Sequence, residues 1–116
     1  MLKELKEKFL GKSDLGYICS FEVNGKDIGT ITEITDIKKA KRKLSHLAQL
    51  EEEMEYRGSG MFDVSSAERS ARNTLREMLI VQALNLGGTH IWLSQASEDA
   101  GFVTGIIQQK ADVFKD

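Results

Sequence analysis

The run ARNTLREMLIVQALNLGGTHIWL, residues 71–93, joins two kinds of repeat across a pair of glycines. Ahead of the glycines, Ala71, Leu75, Met78, Leu79 and Leu86 fall on one stripe of an α-helix. Beyond them Ile91 and Leu93 share one side and His90 and Trp92 the other, which is the period of a strand. Glycine adopts the left-handed backbone conformation at little steric cost, so Gly87-Gly88 is the expected helix stop. Upstream, Ser65-Ser66-Ala67-Glu68 has the form of a capping box, in which each side chain satisfies a free backbone N–H of the other residue. These signals predict a helix over 66–86 followed by a strand over 89–95, with Leu75, Leu79, Ile91 and Leu93 in the core.

Leu15, Tyr17, Cys19, Phe21 and Val23 alternate, break at Asn24-Gly25 and resume at Ile28, which predicts a hairpin of strands 15–24 and 28–34. Ile37, Ala40, Leu44, Leu47 and Met54 fit a helical stripe, and with Thr35 or Asp36 as N-cap and Gly58 as stop they predict a long helix over 36–57. MFDV, at 61–64, reads as a short extended piece, ASEDAG as a turn, and 102–113 as a final strand bulged at Gly105. The expected fold is therefore α+β: one domain over 1–116, an antiparallel sheet of about four strands packed on two long helices.

A chain of 116 residues, 41% hydrophobic and 29% charged, can bury a core without disulfides or metal. Its formal charge of −2 exerts no overall pull toward nucleic acid or an anionic membrane. No run is apolar enough to span a bilayer, and the first residues lack the apolar stretch of a signal peptide, so the expected location is cytoplasmic, or periplasmic if a leader has been trimmed. The lone Cys19 suits a reducing compartment.

Cys19, His46 and His90 are too few for a closed zinc site and lack its spacing; no metal or other cofactor is expected. Nucleophile elbows, phosphate loops and zinc-protease motifs do not occur, so no catalytic residue is assigned. Two features stand out. Lys38, Lys39, Lys41, Arg42 and Lys43 form a candidate anion patch, placed near the N-terminus of the expected 36–57 helix and so against its dipole, with EEEME near the other end. On the last two strands His90, Trp92, Phe102 and Ile106 form a second apolar face, expected to be an interface between copies if no helix covers it.

Ala71-Arg72-Asn73, Ala83, Leu86-Gly87-Gly88 and the strand Ile91 to Leu93, followed by GFVTGIIQQKADVF, resemble a helix-strand signature. It is shared by the YbjQ-like family, labelled heavy-metal-binding, and by small bacterial envelope lipoproteins related to RcsF. The resemblance covers the C-terminal half. It implies a compact α+β domain, often oligomeric, that senses or binds and does not catalyse; no ligand residue is carried across. The functional expectation is thus a non-enzymatic bacterial binding or assembly domain that self-associates, with a protein partner a further candidate and nucleic acid disfavoured. The alternatives are a phosphate- or nucleic-acid-associated protein using residues 38–43, and an enzyme whose site is assembled from scattered residues.

Overall fold

The computed structural model describes residues 5–60 and 63–116. In chain order the elements are β1 (Leu5–Lys12), β2 (Gly16–Val23), β3 (Lys26–Ile34), α1 (Ile37–Lys43), β4 (Ser45–Arg57), α2 (Val64–Asn85), β5 (His90–Leu93), β6 (Ser97–Ala100) and β7 (Thr104–Lys115). The strands form one seven-stranded sheet in the order β1-β2-β3-β5-β7-β4, with β6 added to β7 beyond the end of β5. Every pairing is antiparallel except β3 with β5, joined at Thr32↔His90 and Glu33↔Ile91. Among the described residues, the expected four strands on two long helices are therefore replaced by seven strands, one long helix and one short one.

The largest correction lies in 36–57. The helix ends at Lys43, Leu44 is already extended (φ −120°, ψ 157°), and thirteen residues then run as β4 along β7. A period of two was present beside the helical one: Ala48, Leu50, Glu52, Met54 and Tyr56 face inward while Gln49, Glu51, Glu53 and Glu55 are exposed. Short α1 also resolves the charge order. Asp36 caps its start by accepting from the Lys39 N–H at 3.1 Å, and Lys41, Arg42 and Lys43 occupy its last turn, where cations favour the dipole.

Other boundaries shift for local reasons. β1 and β6 are additional strands; ASEDAG contains β6 where a turn was expected, and Gly105 pairs in register with Tyr56 and Ala100, without a bulge. A Cβ at Gly105 would lie 2.5 Å from the Tyr56 ring, so the glycine makes room for that ring. Asp63, with no side-chain cap bond, precedes α2, which begins at Val64; the Ser65/Glu68 capping box does not form, and Glu68 instead pairs with Arg72 one turn on. Of MFDV, Met61 and Phe62 lie outside the described residues.

The Asn24-Gly25 hairpin and the glycine stop agree with the sequence. Both turn residues have positive φ, 52° and 80°, as a two-residue type I′ turn needs. At the end of α2, Gly87 has φ 82°, its N–H donates to Leu84 O, and the Gly88 N–H donates to Ala83 O, a Schellman closure.

α2 covers one face of the sheet. Leu79, Ile80 and Ala83 pack on Phe21, Ile31, Ile91 and Val113, and Leu75 and Ala71 on Ile107 and Tyr56. Leu75, Leu79 and Ile91 are buried as expected, and Leu93 is half-buried. On the other face, α1 seals one corner by setting Ala40 against Leu15, Ile34 and Phe114. Among the described residues no helix is long and apolar enough to cross a membrane.

Candidate functional site

His90, Trp92, Phe102 and Ile106 do not come together in the structure. His90 pairs with Phe114 across β5 and β7, and Trp92 packs half-buried in the α1 cluster with Phe114 and Leu44. Ile106 lies six positions from Asp112, the partner of Trp92, which along a strand is roughly 20 Å. Phe102 is 77% exposed in the turn between β6 and β7. These four side chains thus form no continuous surface: α1 packs against the Trp92 end, and Lys110 and Gln108 lie between that end and Ile106 on the same face. His90 is buried, with Nδ1 2.8 Å from Thr89 Oγ1; burial lowers its pKa, against a weaker upward pull from Asp116.

The basic patch sits on α1, where Asp14 partly neutralises it. The carboxylate accepts from Lys43 Nζ at 3.2 Å and lies 3.9 Å from Lys39 Nζ; the bond from Lys43 lowers the Asp14 pKa. Lys38, Lys41 and Arg42 make no ion pair among the described residues and are exposed. Nearby, His46 Nε2 meets Asp112 Oδ1 at 2.9 Å and its ring stands edge-on to Phe114.

On the α2 side, the conspicuous charges are tied to each other. Arg76 donates to both oxygens of Glu7 at 2.8 and 3.1 Å and to Glu33 at 2.6 Å, clamping β1 and β3 to the helix. That bond holds the Glu7 carboxyl below the usual range, and Cys19, buried behind it, has its thiol pushed up to about 11 by burial and by Glu7. At the other end Glu98 accepts from the Tyr56 hydroxyl and from Arg72, so Glu98 is shifted down and Tyr56 up to about 12. A thiol and a phenol held protonated, with carboxylates engaged by arginines, serve packing and orientation better than proton transfer.

What the fold leaves open is the outer side of β4. This thirteen-residue strand pairs with β7 alone among the described residues, so its outer N–H and C=O groups face no neighbouring strand. Following the register across the sheet, Glu51, Glu53 and Glu55 project from the face opposite α2, beside Lys110, Gln108 and Ile106. An open groove of about 620 Å³ lies at the far end of the strand, lined by Glu55, Tyr56, Arg57, Asp99, Thr104 and Ile106 among others. The opposite sheet edge, β1, pairs with β2 alone among the described residues and carries Lys6 and Lys8 on that same face. The helical reading of 45–57 concealed this edge; the inward period of Ala48, Leu50, Met54 and Tyr56 is the signal that reveals it.

Comparison with family models, with curated proteins and with solved structures returns no match.

Proposed function

We propose that the protein is a non-enzymatic assembly domain that self-associates by strand addition at the exposed edge of β4. The length of that edge supports the reading: natural sheets generally shorten, bulge or cover their edges, because an unpaired row of backbone groups templates another strand. Here thirteen residues run along the rim, with one irregularity, at Leu47 between His46 and Ala48. The resemblance of the C-terminal half to YbjQ-like and RcsF-related bacterial domains points to the same class.

The test combines sedimentation with amide hydrogen exchange over a concentration series. Mass should rise with concentration while β4 amides on the outer side exchange more slowly. A protein that stays monomeric at high concentration, with β4 exchange unchanged, refutes the proposal. The α1 cations favour a second reading, anion binding, which predicts salt-sensitive retention on heparin that falls when Lys38, Lys41 and Arg42 are replaced by Gln.

A further inference from the structure

Resting on the self-association reading, we infer that the strand added to β4 is β1 of the next copy, so that the sheet continues head to tail from molecule to molecule. The two edges differ in sign on the face opposite α2: Lys6 and Lys8 on β1, and Glu51, Glu53 and Glu55 on β4, all exposed. Pairing either edge with its own copy sets like charges side by side, whereas pairing β1 with β4 sets lysine beside glutamate.

The strand directions permit it. β1 is antiparallel to β2, β2 to β3, β5 to β7 and β7 to β4, with β3 parallel to β5, so β1 and β4 run the same way. A neighbouring copy with α2 on the same side therefore brings its β1 alongside β4 as a parallel pair, in which adjacent side chains share a face. With Lys6 beside Glu51, Lys8 falls beside Glu53. On the α2 side the same register sets Leu5 beside Leu50 and Phe9 beside Met54, and Phe9 is 61% exposed in the single chain. Glu7 then falls beside Glu52, but each carboxylate already has a donor, Arg76 for Glu7 and Gln82 for Glu52. Such a contact is heterologous: every added copy leaves one β1 and one β4 free, so growth passes beyond the dimer into rings or filaments.

The experiment exchanges the signs. One full-length variant carries Lys6→Glu and Lys8→Glu, the other Glu51→Lys and Glu53→Lys; circular dichroism checks that each remains folded. Either variant alone should associate roughly tenfold or more weakly than the wild type. An equimolar mixture should regain assembly, since the acidic β1 of one then meets the basic β4 of the other. Wild-type species should pass beyond dimer, weaken in high salt and protect amides in both β1 and β4. Protection of β4 without β1, or a plateau at dimer, overturns the head-to-tail contact while leaving β4 as the docking edge. Variants that fail to recover on mixing also overturn it, and a wild type that never associates removes both readings.

Discussion

At the scale of single residues, the two glycines after α2 have different tasks. Gly87 needs its positive φ of 82°, yet a Cβ there would meet nothing within 4 Å. Gly88 carries no such φ, but a Cβ would lie 2.3 Å from Val113 Cγ1 and 3.1 Å from Ala83 O, in the core where α2 turns into β5. A helix-stop pattern marks Gly87-Gly88 for its backbone conformation, because conformation is legible in such a pattern and close approach across the chain is not. The clearances point to Gly88 as the more sensitive of the two. Gly87→Ala should cost about 1 kcal/mol through backbone strain, and Gly88→Ala more, about 1–3 kcal/mol through overpacking. Denaturant midpoints of the two variants check it; a milder Gly88→Ala would show that the strand-helix contact is looser than its geometry. Cys19 and His90 illustrate what parity alone does give. Alternation with Phe21 and Ile91 sets them on opposite faces, and the structure has Cys19 under α2 and His90 on the other side.

At the scale of elements, α2 is held to the sheet by charge as well as by its apolar stripe. Arg76 reaches Glu7 on β1 and Glu33 on β3. Since the folded Glu7 carboxyl titrates below its ordinary value of 4.5, the stabilisation is fully present above that pH and fades as pH falls through the lower, folded value. Arg76→Met should lower the melting temperature at neutral pH, and the gap from wild type should narrow as pH drops below 4.5. A gap that stays constant into acid would mean that Arg76 acts through packing of its stem. Helix α2 and the β2–β3 hairpin were legible because their signals are local: a stripe ending in Gly-Gly, and Asn-Gly between alternating runs. Residues 45–57 were not. Leu44, Leu47 and Met54 satisfy a helical period, Glu51 to Glu53 favour a helix, and what selects the strand is a ladder of twelve register pairs with β7, some sixty residues on. β1 was missed for the same reason: LKEKFLGK is mostly exposed and takes its strand form from pairing with β2. Because β1 and β4 take their form from pairing across the chain, neither open edge is legible in the sequence, whose local alternation points instead to His90, Trp92, Phe102 and Ile106.

At the scale of the whole molecule, β5 is the joint. On one side β1, β2 and β3 form a meander closed by local turns; on the other β7 carries both β4 and β6. Among the described residues the two halves of the sheet meet at β5 alone, which is four residues long and touches β3 through two register pairs, against eight between β2 and β3. Ile91 occupies that joint with no exposure and packs in the core shared with α2. Because so few backbone pairs cross, the halves are coupled chiefly through side chains packed beneath α2, and loss of one such side chain weakens the coupling more than it weakens either half. Ile91→Ala should cost about 2–5 kcal/mol, and the loss should fall unevenly. Amides of β2 and β3 should exchange at least about thirtyfold faster, the equivalent of about 2 kcal/mol, while the β4–β7 ladder keeps more of its protection. Uniform acceleration in all strands would show instead that the seven strands open as one cooperative unit, with α2 binding the halves more tightly than the short β3–β5 pairing does.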